Sequence, residues 1–331
     1  MFDSARYDGR MPYRRCGDSG LFLPAISLGF WHNFGHIDDF DESRRIMHRA
    51  FDRGVTHFDL ANNYGPPPGS AEENVGKILV SDFASHRDEL IITSKAGHDM
   101  WEGPYGKAGS RKHLLSSLDQ SLRRLRVSYV DIFYSHCPDP DTRLEETMSA
   151  LATAVNSGKA LYVGLSKYPL KRLKKAVKIL KEMGVRCAIY QPPYSILDRW
   201  VEAEGILEYL EEEGIGCVGF SPLAQGMLTP KYLDGIPEDS RAARSDGFLQ
   251  VEQVASQQEK IRALGDLAAA HGISLTHLAI QWTLRSSAMT SSIIGARTVA
   301  QLDDALASLH SPMPDEAMLA AIDAIAPVVK K

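Results

Sequence analysis

The chain lacks most of the features that mark membrane, secreted and nucleic-acid-binding proteins. No uninterrupted apolar run approaches the ~18 residues of a membrane-spanning helix. The opening residues, MFDSARYDGR, contain no apolar core, so no signal peptide is expected. Cysteine is scarce: Cys16, Cys137, Cys187 and Cys217 lie far apart and form no CxxC pair. That spacing argues against a disulfide framework or structural zinc and predicts a reducing, cytoplasmic setting. Charge of one sign is also missing. With a net charge of −5 and a pI of about 6.1, the chain has no field to draw nucleic acid or an anionic membrane surface. No His/Cys/carboxylate cluster has ligand spacing, so no metal is expected.

What is present is ordinary globular composition, 44% hydrophobic and 24% charged, over 331 residues. Short runs rich in β-branched residues fall at 25–28, 56–59, 90–94, 130–134, 160–165, 187–191, 216–220 and 292–295. Helix-like segments alternate with them, near 42–53, 71–81, 111–125, 143–157, 169–182, 203–213, 257–270 and 298–309. Eight such alternations without a Pro/Gly-rich linker predict one α/β domain over residues 1–331, a closed (β/α)8 barrel in preference to an open doubly wound sheet. Residues 13–23 read as a β-hairpin turning at Gly17–Gly20 and able to plug the barrel bottom. Residues 221–252 form a long loop after strand seven, of a length usually given to binding. A short closing helix is expected after Pro314. The patterns Ser70-x-x-Glu73 and Thr142-x-x-Glu145 predict capping boxes at two helix starts. In 171–181, Leu173, Ala176, Val177 and Leu180 make an apolar stripe whose remaining lysines are expected to face solvent.

Residues 214–219, GIGCVG, match the glycine spacing of a dinucleotide-binding turn. Such a turn must follow a strand and open a helix. This one follows the helical Glu211–Glu213 and enters an apolar strand, so it reads as a helix-ending glycine.

In a barrel the functional positions are the C-terminal ends of strands. Asp59, Tyr64, Lys95 and His136 fall at or just past such ends. Each alone has an ordinary structural role open to it; together, on adjacent strands, they converge on one spot. A phenol titrates near ~10 and is a weak acid at neutral pH. A neighbouring Lys95 is expected to favour its ionised form, with Asp59 fixing the lysine and His136 orienting a substrate oxygen.

The residues around these positions resemble the aldo-keto reductases: 54–65 (GVTHFDLANNYG), 91–95 (IITSK), 129–136 (YVDIFYSH), 158–166 (GKALYVGLS) and 293–296 (IIGA) occur in that family's order. Residues 28–35 and 62–74 look most like the bacterial L-glyceraldehyde 3-phosphate reductases, relatives of the potassium-channel β subunits. The resemblance implies NADPH-dependent reduction of a small carbonyl compound, NADH being the alternative donor, with Tyr64 as general acid and Asp59, Lys95 and His136 in support. It places Trp31, Ser166, Gln191, Ser221, Pro222, Leu223, Gln225, Gly226, Lys231, Arg241, Gly295, Arg297, Gln301 and Asp304 around the dinucleotide. Trp31, Trp101, Tyr194 and Arg199 are the expected substrate wall, Arg111 being a further candidate for a substrate phosphate. The family pattern is broken at Arg297, where a small hydroxyl residue is usual, at Asp304-Ala305, where Glu-Asn is usual, and at Cys137, where Arg is usual. Arg297 is a candidate for the cofactor 2′-phosphate. The rival reading is a non-catalytic nucleotide-binding subunit like the channel β subunits, and a second is a Schiff-base aldolase using Lys95. A homo-oligomer is compatible with either class.

Overall fold

The computed structural model describes residues 2–233, 235–236 and 249–329. Two short strands, β1 (Tyr13–Arg15) and β2 (Phe22–Pro24), pair antiparallel, Tyr13 opposite Pro24 and Arg15 opposite Phe22. Their turn presses Gly17 against the chain at Gly214. A Cβ on Gly17 would lie 2.1 Å from the Gly214 carbonyl oxygen, and φ is +52°, so only glycine fits.

Eight parallel strands follow and close on themselves: β3 (Ile26–Gly29), β4 (His57–Asp59), β5 (Ile91–Ala96), β6 (Val130–Ser135), β7 (Ala160–Ser166), β8 (Cys187–Gln191), β9 (Gly216–Phe220) and β10 (Met289–Ile294). β10 pairs with both β9 and β3 to complete the barrel. Strand periodicity sorts the side chains. Ile132, Tyr134, Ile189 and Val218 point inward and pack on Cys16, Leu21 and Leu23 of the hairpin, which seals the bottom. Their neighbours Phe133, Tyr190 and Cys217 lie in the outer core beneath the helices.

The surrounding helices are α1 (Phe40–Asp52), α2 (Ser70–Asp82), α3 (Arg111–Leu125), α4 (Leu144–Asn156), α5 (Leu170–Glu182), α6 (Trp200–Ala203), α7 (Ile206–Glu213), α8 (Val251–Ala270), α9 (Leu275–Thr283), α10 (Val299–Ala307) and α11 (Glu316–Ile325). α5 buries Leu173, Ala176, Val177 and Leu180, as its stripe predicts. Gly214, at φ +64°, ends α7 and leads into β9, so the GxGxxG match is a helix cap.

Three expectations fail locally. Ser70 does not cap α2: its hydroxyl donates to the Pro67 carbonyl, Glu73 pairs with His36, and left-handed Gly69 opens the helix. Thr142 likewise does not cap α4: Arg143 occupies the cap position with no side-chain cap bond, and Glu145 faces Lys175. The 203–213 segment splits into α6 and α7 at Gly205, φ +68°. The sequence reading also passes over α9. Of its nine residues only His277 escapes full burial, so it has no polar face to betray a helical period. Its N-cap Ser274, accepting from the His277 N–H, is the one local signal.

Candidate active site at the barrel mouth

Asp59 ends β4, Lys95 sits one residue from the end of β5, and His136 follows β6 directly. Tyr64 lies in the loop after β4, which is fixed by the Asn62 N–H donating to the Lys95 carbonyl and the Tyr64 N–H donating to Ala61. The four side chains meet. The Lys95 ammonium, fully buried, donates to Asp59 Oδ2 at 2.6 Å, to the Leu60 carbonyl at 2.7 Å and to the Tyr64 hydroxyl at 3.4 Å. Asp59 also accepts from the Thr93 hydroxyl at 2.8 Å and from Gln191 Nε2 at 2.9 Å. The ring of His136 stands edge-on to Tyr64, 5.8 Å between centroids.

Burial decides the protonation states. It pulls the Lys95 pKa down, against the opposing pull of Asp59. It pushes the His136 imidazole well below 6.5, with Lys95, Lys167 and His98 adding to the shift, so that ring is neutral. It pushes the Tyr64 phenol up, and the Asp59 charge pushes the same way. The direction is opposite to the acidification anticipated from Lys95, because that ammonium is spent on Asp59 and Leu60 and reaches the phenol only at the long edge of hydrogen-bond range. Tyr64 is thus a protonated donor, held in the state a general acid requires before reaction.

A cavity of about 780 Å³ opens over this cluster. Of the residues anticipated from the sequence, Trp31, Asp59, Tyr64, His136, Gln191, Ser221, Pro222, Leu223, Gln225, Gly226, Lys231, Gly295, Arg297, Gln301 and Asp304 line it. Lys95 lies behind the wall. So does Ser166, whose buried hydroxyl donates to the Gln191 carbonyl at 2.8 Å and braces β7 against β8. At the far side the cavity reaches the start of α10, where Gln301 accepts from the Arg297 N–H and the Thr298 hydroxyl caps the helix.

Other anticipated residues lie elsewhere. Arg199 turns toward the C-terminal helix, pairing with Glu202 and Asp323 and donating to the Ala326 carbonyl. Tyr194 is buried against Trp282 and bonded to Glu202 and Arg285. Trp101 packs on His113, 5.0 Å between ring centroids. Arg111 opens α3 and donates to the Ser149 carbonyl. None of these four lines the cavity. The physical reason is common to all: aromatic or basic character says nothing about which way a loop turns its side chain. Arg241 falls outside the described residues.

The cavity also has walls the sequence reading missed, among them His98, Lys167, Asn63, Tyr232 and Thr276. Lys167 was legible, since it directly follows the end of β7; Thr276 was not, because it belongs to the unrecognised α9. Asn33, Lys167, Ser221 and Gln225 all line the cavity with φ between +58° and +70°, a left-handed backbone that non-glycine residues rarely adopt. Strain of this kind concentrates at functional sites.

The profile of the Aldo/keto reductase family matches residues 25–327. The chain is 52% identical over 319 residues to the L-glyceraldehyde 3-phosphate reductase of Escherichia coli (strain K12), covering 95% of this chain and 92% of that protein. It is 33% identical over 305 residues to a probable voltage-gated potassium channel subunit beta of Oryza sativa subsp. japonica, covering 90% and 91%. A strand-end cluster of carboxylate, phenol, ammonium and imidazole under a long cavity, on a closed eight-stranded barrel, and a match over nearly the whole chain lead to one assignment: the chain belongs to the aldo/keto reductase family and is an NAD(P)H-dependent oxidoreductase.

Proposed function

We propose that the chain acts in the cytoplasm as a single-domain NADPH-dependent reductase that converts a small aldehyde or ketone to its alcohol, with Tyr64 as the general acid. Supporting this is one observation above the others: a single buried ammonium touches both Asp59 and the Tyr64 hydroxyl at the edge of a cavity large enough for a dinucleotide and a small substrate. The donor set fits such a cofactor. Gln191 and Ser221 face the inner end, while Lys231, Arg297 and Gln301 offer cationic and amide groups for phosphates near the α10 N-terminus. Arg297 and Lys231 favour the 2′-phosphorylated form. The bound dinucleotide supplies the hydride.

The protein's own groups manage the oxygen. Neutral His136 donates one ring N–H to the carbonyl oxygen and orients it toward Tyr64. As negative charge develops on that oxygen, the phenolic proton moves to it, and the nearby Lys95 ammonium stabilises the phenolate left behind. Asp59 holds Lys95 charged and in place. A lysine so paired is a poor amine nucleophile, which disfavours the aldolase reading. Candidate substrates are L-glyceraldehyde 3-phosphate and methylglyoxal, the first because of the E. coli relative.

The test is steady-state oxidation of NADPH and NADH against both aldehydes with the wild type and Tyr64→Phe. Turnover should fall by at least ~10²-fold in the variant while NADPH affinity, read by fluorescence titration, stays near wild type. A variant with undiminished turnover removes Tyr64 from the mechanism, and cofactor binding without wild-type turnover supports the regulatory-subunit reading.

A further inference from the structure

The cations lining the cavity, among the described residues, are Lys167, Lys231 and Arg297. Lys167 differs from the others in what it touches. Its ammonium donates to His98 Nε2 at 2.8 Å, and the His98 ring stands edge-on to His136 at 4.4 Å between centroids. His136 in turn contacts the Tyr64 ring. Lys167 and His98 therefore form a ledge beside the position of the reacting oxygen, and both line the cavity.

The two lysines near this spot are in opposite electrostatic situations. Lys95 has a carboxylate at 2.6 Å and is compensated. Lys167 is half-buried, and the hydrogen-bond partner of its ammonium is an imidazole that burial and Lys167 itself push down to about 4, hence neutral. Asp99, next to His98 in sequence and also on the cavity wall, is exposed and reaches toward Lys107. A partly desolvated cation with a neutral partner gains most from an anion brought to it. The backbone supports the aim: Lys167 holds φ at +61°, a conformation that turns the residue following β7 out of the strand direction. In the Tyr64 chemistry this group acts only at a distance, through its charge on His136.

We propose that Lys167, positioned by His98, is a specificity-determining residue that holds an anionic substituent, carboxylate or phosphate, close to the reacting carbon of the carbonyl substrate. The proposal rests on the reductase reading above. Its test uses two substrate pairs differing in charge: 4-carboxybenzaldehyde against its similarly shaped methyl ester, methyl 4-formylbenzoate, and glyceraldehyde 3-phosphate against glyceraldehyde, which lacks the phosphate. For the wild type kcat/KM should favour the charged member, and the pair showing the larger preference identifies the anion. Lys167→Met should lower the charged-to-neutral ratio by at least about tenfold, mostly through KM, and Lys167→Arg should retain it. An unchanged ratio in Lys167→Met overturns the proposal. Calorimetric titration with terephthalate gives a readout without turnover. Binding at least about tenfold weaker in Lys167→Met supports the subsite, and equal binding overturns it. If the wild type reduces no member of either pair while terephthalate binds in a Lys167-dependent way, the subsite stands and the reductase reading falls.

Discussion

Asp59→Asn removes one charge and almost no volume, and it isolates what the buried pair does for the fold. Lys95 is fully buried; among the described residues its ammonium donates to Asp59 at 2.6 Å, to the Leu60 carbonyl and, at longer range, to the Tyr64 hydroxyl. Leaving one member of a buried ion pair uncompensated costs about 3–5 kcal/mol. The alternative open to the protein is to deprotonate Lys95. From an unfolded pKa of ~10.4, at about 1.36 kcal/mol per pH unit, that route costs roughly 4.6 kcal/mol at pH 7. The two routes bracket the same loss, so the variant should lose about 3–5 kcal/mol of stability in urea titrations followed by circular dichroism. If Lys95 is neutral in the folded variant, the unfolded chain binds the extra proton. Stability of the variant then rises with pH up to ~10.4, by at most about 1.36 kcal/mol per unit. Adding Lys95→Met should recover part of the loss, because the orphaned charge is gone. A loss below about 1 kcal/mol at pH 7 would refute the idea that Asp59 is the compensating group.

Two further predictions concern the frame. In Gly76→Ala the new Cβ would stand 2.1 Å from the Arg124 carbonyl oxygen, a backbone atom of the neighbouring α3, so thermal unfolding should show a loss of about 1–3 kcal/mol; a gain, as helix propensity alone would give, contradicts the close seam between α2 and α3. Glu89 is partly solvated; burial raises its pKa, but bonds from His86, Tyr7 and Arg6 outweigh that and hold it at about 2, below the unfolded ~4.3. The stability it adds is present above ~4.3 and disappears as pH falls through about 2. Glu89→Gln should therefore be less stable than wild type at pH 7, by about 1 kcal/mol given the solvent screening, and level with it near pH 2; an equal gap at both values refutes the linkage.

The barrel exerts its control over chemistry by closing the strand order. Asp59 and Lys95 are 36 residues apart, and Gln191 is 132 residues from Asp59, yet all three share one hydrogen-bond network. The parallel register sets their levels: Asp59 pairs with Thr93, two residues before Lys95 on β5, Lys95 pairs with Tyr134, and Gln191 pairs with Ser166 at the end of β7. Convergence of the cluster is a consequence of register.

The sequence by itself determined the alternation of eight strands with helices, the hairpin at the barrel bottom and the strand-end cluster. Each of these is written in a local period or in a fixed offset from a strand, and needs no knowledge of distant neighbours. Tertiary structure alone decided the rest. α9 is almost wholly buried and has no amphipathic signature to read. Ser70 was drawn to Pro67, a partner that capping patterns do not encode, and Arg143 rather than Thr142 took the cap of α4. Arg199 and Tyr194 left the cavity for Glu202, and the Tyr64 phenol moved up in pKa because burial and Asp59 outweigh a lysine already committed elsewhere. Direction of a side chain and competition for a single ammonium are properties of the assembled three-dimensional neighbourhood, and no local stretch of sequence carries them.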